Sequence, residues 1–270
     1  KIEMLSAGKI KNTFGGDIVY SLDTYKQKYF QTEKDGYFFF AFLDGYQEDD
    51  KCVRIFETKA TTSRKFINMQ GELNSIFAEY LDGIYKLKEE LFFETDDKYY
   101  KCRKKLFDRL GDTGKYIYDL AYQRYVIEKG KKLAKEHKYY LAVLNHEYVH
   151  DGRVDKDNNP IYGDDIVVFI DLTKITEEYM DIIEDDINTV IRRIETAVNK
   201  QVVLGKHCQR KSLRECVFFN LCFSEQLPET NTVFEYHRNR GFKVDGETLD
   251  SYELIKRKIV GLLDVPYEWL

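Results

Sequence analysis

The hydrophobic period changes several times along this chain, and each change limits the kind of element a segment can form. Residues 37–44, YFFFAFLD, are an apolar, aromatic run closed by the turn signal Asp44-Gly45, a pattern that predicts a buried strand. The polar stretch GYQEDDK reads as a turn into a second strand, CVRIFETK, over residues 52–59. From about Glu72 to Leu110 the pattern is helical, and residues 114–137, GKYIYDLAYQRYVIEKGKKLAKEH, carry apolar side chains at helical spacing. A β-rich run, YYLAVLNHEYV, comes next. Beyond the turn-prone HDGRVDKDNNPIYGDD, the segment IVVFIDL reads as an apolar strand and residues 175–199 as a long amphipathic helix. Strands interrupted by helices, with a hairpin near the start, imply an α/β fold built on a mixed central sheet flanked by helices.

The chain has 270 residues, 43% hydrophobic and 33% charged, which suffices for one large domain or a core with an appendage. No Pro-rich or Gly/Ser-rich linker divides it, so the expected organisation is a core over residues 1–200 and a cysteine-bearing extension over 201–270 packed on that core. No apolar run approaches the length of a membrane span, and the opening KIEMLSAGKIKN lacks the apolar centre of a signal peptide. The expectation is therefore a cytoplasmic protein with no membrane partner. Because the chain opens on Lys1, a segment upstream is expected to have been removed. The net charge of −5 argues against a protein that coats nucleic acid nonspecifically, yet leaves room for an enzyme with one basic groove. The local basic clusters KKLFDR, EKGKKLAKEHK and GKHCQRKSLR are either solvated helix faces or a surface that follows phosphates.

The segment NHEYVHDG, residues 145–152, contains a literal H-E-x-x-H, the spacing of a zinc protease site. That chemistry needs a helix, because only there do residues four apart share a face. The surroundings of His146 and His150 are rich in strand formers, and in a strand the two would stand about 13 Å apart. A zinc protease is not the expected outcome.

A better constellation lies upstream. Asp44 ends one strand, and Glu57, Thr58 and Lys59 end the next. Strand alternation puts Glu57 and Lys59 on one face, about 7 Å apart along the backbone, and a hairpin partner can bring Asp44 alongside. Two carboxylates suit Mg²⁺ or Mn²⁺. An amine beside such an ion can orient water and neutralise charge developing at phosphorus. The same Glu-x-Lys spacing recurs at Glu136-His137-Lys138, but that copy is expected at a helix end, so context selects the first. The structural alternative for the first copy is an exposed ion pair at a strand edge.

The order FLDG, then FETKATTS, then a helix bearing YQRY resembles the PD-(D/E)xK nuclease superfamily with a RecB-like nuclease core. The resemblance implies a restriction-endonuclease-like fold. In it, Asp44 and Glu57 would bind Mg²⁺ or Mn²⁺, the Thr58 carbonyl would be a further ligand, and Lys59 would be the catalytic lysine. Gln123 would position Lys59 or the substrate phosphate, with Tyr125 nearby. NHEYVHDG, FIDLTKITEE and LPETNTVFEYHR extend the likeness, over roughly residues 37 to 240, to an uncharacterised bacterial family with this core and a cysteine-bearing tail; HEYVH would there belong to a core strand. The chain departs from the pattern in two ways: no acidic or histidine residue on an initial helix is evident before Asp44, and the N-terminal cysteine of related iron–sulfur nucleases is absent. The implied activity is divalent-metal-dependent hydrolysis of phosphodiester bonds, exonuclease-like, on DNA ends or single strands. The alternative is a non-catalytic module of the same fold that binds nucleic acid or protein and is stabilised by a cysteine metal site.

Five cysteines are too few for a disulfide framework. Cys52 and Cys102 read as isolated packing residues, whereas Cys208, Cys216 and Cys222 crowd into HCQRKSLRECVFFNLC. Three thiolates require one more ligand for zinc or for a cubane cluster. The resemblance implies a [4Fe–4S] cluster whose fourth cysteine lies upstream. The other readings are a zinc site completed by His207 or His237, and three unligated thiols.

Overall fold

An eleven-residue strand, β5 (Cys52–Thr62), organises the first part of the molecule. In the computed structural model, which describes residues 2–21, 23–67, 75–130, 134–197, 209–210, 214–215, 227–233 and 242–269, the chain forms two compact units, Lys1–Arg192 and Arg193–Leu270. In the first unit β5 lies between β4 (Gly45–Glu48), antiparallel to it, and β8 (Glu136–Leu144), parallel to it. The sheet continues through β9 (Val167–Asp171), β7 (Ile84–Leu87) and β6 (Phe77–Leu81), and β1 (Asp17–Tyr20) closes the other edge. The strand order is β1-β4-β5-β8-β9-β7-β6. Only β5/β8 and β7/β9 are parallel pairs. A parallel pair needs a long crossover, and the one from β5 to β8 carries α3 (Asp97–Lys104) and α4 (Gly114–Gly130).

Both faces of the sheet are apolar because both are covered. On one, the ring of Phe14 at the end of α1 (Ile2–Phe14) packs 5.3–5.4 Å from those of Phe56, Tyr140 and Phe169. On the other, Ile117, Leu120 and Ala121 of α4 join Val53, Ile55, Leu141 and Val143. Full burial of each large aliphatic side chain contributes about 1.5–3 kcal/mol. The expected mixed sheet flanked by helices is present. The helix expected over residues 175–199 is α5 (Thr173–Glu178) followed by α6 (Met180–Ala197), and α6 buries Ile183, Ile187 and Ile191 at four-residue intervals.

Several expectations are corrected. YFFFAFLD does form a strand, β3 (Tyr37–Leu43), but not a buried one. It pairs with β2 (Lys28–Lys34) in a separate two-stranded ribbon that buries Ala41 and Leu43 and leaves Phe38, Phe40 and Phe42 exposed. GYQE is strand β4 rather than turn; a side chain at Gly45 would meet Phe56 Cβ at 3.2 Å, so the close packing there requires glycine. The stretch expected to be helical from Glu72 holds the β6–β7 hairpin, closed by Asp82 and Gly83, both at positive φ. Such a turn favours the Asp-Gly pair. The helix expected through His137 does not reach it, because β8 begins at Glu136; in α4, any Cβ at Gly130 would lie 2.1 Å from the Gln31 carbonyl oxygen. Glu136-His137-Lys138 therefore also lies on a strand. The β-rich run stops at Leu144, so HEYVH occupies a turn and loop and no core strand.

In the second unit, two further strands, Phe242–Val244 and Glu247–Leu249, and a helix, Ser251–Lys256, gather around Val233, Phe242, Leu249, Leu254 and Val265. Cys208, Cys216 and Cys222, with His207 and His237, lie outside the described residues. Cys52 and Cys102 are buried free thiols. No helix among the described residues is long and apolar enough to cross a membrane.

Candidate functional site

Strand alternation decides which β5 side chains can meet α4. Val53 and Ile55 pack on the α4 side, so Glu57 and Lys59, of the same parity, also face that helix. The register of β5 against β8 shifts between Thr58 and Thr62, so the chain is bulged where Lys59 sits. Bulges re-aim side chains near functional sites.

Glu57 is nearly buried. Its Oε1 lies 2.7 Å from Lys59 Nζ, and its Oε2 accepts from Gln123 Nε2 at 2.6 Å. Lys59 also reaches Asp119 Oδ2 at 3.0 Å. Asp44 stands at the break between β3 and β4, where its Oδ2 accepts from the Thr58 backbone N–H at 2.9 Å and Gln27 Nε2 approaches Oδ1 at 3.5 Å. The Asp44 carboxyl group is close enough for its charge to bear on Glu57. Burial pushes Glu57 above the ordinary carboxylate range and the charge of Asp44 adds to the effect, which Lys59 and Gln123 offset only in part. Burial likewise pushes Asp44 up, against the Thr58 N–H and Lys59, with Glu3 adding in the same direction. Burial pulls Lys59 down, but Glu57 and Asp119 outweigh it and hold the ammonium above its ordinary value.

Asp44, Glu57, Thr58, Lys59 and Gln123 are thus gathered as expected. Tyr125 is not among them. Two positions beyond Gln123 is more than half a helical turn away, and Tyr125 is buried in the core, with Lys129 Nζ 5.6 Å from its ring and its hydroxyl bearing on Lys34. Two acidic groups were missed. Asp119 lies one turn before Gln123 on the same helix face, a spacing legible in YDLAYQ. Glu3 lies in the first turn of α1, so an acidic residue on an initial helix does precede Asp44, and its charge bears on both Asp44 and Tyr20. Burial, then Glu3 and Asp44, push the Tyr20 hydroxyl up to about 12.

The second Glu-x-Lys differs by place and burial. Glu136 pairs with Cys52 and Lys138 with Arg54 at the start of β5, away from Glu57, and their own ion pair is a loose 3.7 Å with Glu136 exposed. His146 and His150 face different partners. His146 Nδ1 is 2.8 Å from Ser63 Oγ, while His150 Nε2 donates to the Ile161 carbonyl and its Nδ1 accepts from Gly152 N–H. Both nitrogens of His150 are used within a loop. Among the described residues no group of three or more His, Cys, Asp or Glu side chains converges to hold a metal; the protein donors at the β5 site number two carboxylates and the backbone beside them. Comparison with protein-family models, with curated proteins and with solved structures found no match.

Proposed function

We propose that this chain is a divalent-metal-dependent nuclease of the PD-(D/E)xK type, with a RecB-like, restriction-endonuclease-like core, acting on single strands or ends of DNA. One observation carries the reading: a half-buried Asp44 and a buried Glu57, each raised in pKa by burial and by negative neighbours, sit beside a lysine held charged. Two such groups with no dication between them repel, and a hard dication relieves that repulsion. The residues present fit Mg²⁺ or Mn²⁺. Gln123 Oε1 is buried without a hydrogen-bond partner, next to the carboxylate that Gln123 Nε2 supports, and the waters a small dication retains are donors.

Asp44, Glu57 and the Thr58 carbonyl would hold the ion, whose contribution when bound is to lower the pKa of a water near phosphorus. Gln123 fixes the Glu57 carboxylate by its 2.6 Å hydrogen bond. Lys59, kept protonated by Glu57 and Asp119, supplies positive charge where the phosphate gains negative charge. A binding module of the same fold has no use for two repelling carboxyl groups withdrawn from solvent in part or whole.

Labelled single- and double-stranded DNA and RNA, incubated with the protein in Mg²⁺, Mn²⁺ or EDTA, test the reading. Cleavage that requires the dication and falls by at least about 100-fold in Asp44→Asn, Glu57→Gln and Lys59→Met is the expected result. Equal cleavage by wild type and Lys59→Met refutes it.

A further inference from the structure

Tyr116, in the first turn of α4, has three ammonium groups about its ring. Lys115 Nζ lies 5.0 Å from the ring centroid, and Lys59 and Lys65 Nζ each lie 5.9 Å from it. These lysines come from the bulged end of β5, from α2 (Arg64–Ile67) and from α4, so the tertiary fold assembles the group. Their counter-charges are unequal. Lys59 has Glu57 and Asp119 at short range. Among the described residues Lys115 has only Asp112 at 4.0 Å, a carboxylate 88% exposed, and screening leaves such a contact worth little. Lys65 has no ion pair among the described residues, nor does the exposed Arg64 next to it.

An aromatic face holds a cation by its quadrupole and carries no net charge. The ring therefore fixes the place of the ammonium groups and leaves their charge unspent, whereas a carboxylate would fix and quench them together. Cations crowded in this way repel, and an anion between them removes the repulsion. Lys59 belongs to the group and also to the proposed catalytic centre, so an anion held by Lys65 and Lys115 borders the reacting phosphate. Lysines are point-charge binders of phosphate that read no base identity.

We infer that Lys65, Lys115 and Tyr116 form a subsite for the phosphate backbone of a nucleic-acid strand, holding a phosphate next to the one that reaches Lys59. The inference rests on the nuclease reading for the identity of the neighbouring centre, but binding at the subsite requires neither metal nor catalysis. The test is fluorescence anisotropy of a labelled single-stranded oligonucleotide with the full chain in EDTA, at several salt concentrations. Wild type binds, and Lys65→Gln/Lys115→Gln binds about tenfold more weakly or worse. Its plot of log affinity against log salt is shallower by about 0.7, the contribution of the one single-strand phosphate that the variant no longer neutralises. Lys65→Arg/Lys115→Arg and Tyr116→Phe retain wild-type affinity, because charge and ring persist, whereas Tyr116→Leu weakens binding. Unchanged affinity and slope in the glutamine double variant, absence of binding by wild type, or equally tight binding of polyglutamate overturns the inference. Binding with this pattern but without cleavage in Mg²⁺ or Mn²⁺ sinks the nuclease reading alone; dication-dependent cleavage with binding unaltered in the glutamine variant sinks the subsite alone.

Discussion

Replacing Lys59 by methionine removes a cation while keeping most of the apolar stem. Lys59 Nζ lies 2.7 Å from Glu57 Oε1, and the two side chains are 24% and 10% exposed. At that separation and an effective dielectric constant of about 20, the gross attraction is about 6 kcal/mol. Desolvation of both groups takes back part of it, and stripping one partner from a buried pair costs about 3–5 kcal/mol. Asp119 is 51% exposed and adds little. The expected loss is about 3 kcal/mol at pH 8 without divalent cations, at the lower end of that range because Lys59 is partly solvated. The loss depends on pH with a definite sign. Glu57 already binds its proton more tightly than an ordinary carboxyl group, and without Lys59 its burial and the charge of Asp44 are opposed by Gln123 alone. A folded state that keeps a proton already released by the unfolded chain gains stability as pH falls. The gap between Lys59→Met and wild type therefore narrows from pH 8 to pH 5. Glu57→Gln added to Lys59→Met restores about 2 kcal/mol at pH 8, since the stranded charge is gone. Urea unfolding followed by circular dichroism measures all three effects. A cost below about 1 kcal/mol at pH 8, or one equal at both pH values, refutes the reasoning.

Asp44→Asn keeps an acceptor for the Thr58 N–H and removes a half-buried charge, so without divalent cations it stabilises the fold by about 1 kcal/mol at pH 8 and by less at pH 5, read as a shift in the urea midpoint. Mg²⁺ or Mn²⁺ raises the melting temperature of wild type more at pH 8 than at pH 5, because the ion competes with protons, which both raised carboxyl groups bind more readily as pH falls; calorimetric scans with and without the ion read the difference. Gly130→Ala forces a methyl group toward the Gln31 carbonyl oxygen and costs about 2 kcal/mol, a fall of about 6 °C in melting temperature. His146→Ala/His150→Ala leaves dication-dependent cleavage in place, since neither ring faces a shared ion; loss of stoichiometric zinc and of peptide hydrolysis in that variant would reverse this.

The residues of the candidate site were legible because they follow from strand parity and helix spacing, both local properties. FETK fixes Glu57 and Lys59 on one face, and the four-residue step from Asp119 to Gln123 fixes the helix edge opposite them. Tyr125 was assigned by resemblance, and the helical period places it in the core. Glu3 was missed because α1 is weakly patterned, and its effect on Asp44 depends on how α1 packs across the sheet. The fold was legible where one period ran long, as in α4 and α6. It was misread where a short signal outweighed a long pattern. Asp82-Gly83 turns an apparently helical stretch into a hairpin, and Glu136-His137-Lys138, which the helical pattern claimed, opens strand β8. YFFFAFLD is apolar enough for a core strand, but its ribbon pairs outside the sheet and turns three phenylalanines toward solvent.

Titration with Mn²⁺ at pH 8, followed by calorimetry in wild type, Asp44→Asn, Glu57→Gln and Lys59→Met, tests the central claim most directly. Two neighbouring carboxyl groups, Glu57 raised by burial and by the charge of Asp44 and Asp44 raised by burial and by Glu3, predict Mn²⁺ binding that both carboxylate substitutions abolish and that Lys59→Met preserves or tightens, because a competing cation has been removed. Absence of Mn²⁺ binding by wild type, or binding undiminished in both Asp44→Asn and Glu57→Gln, would contradict it.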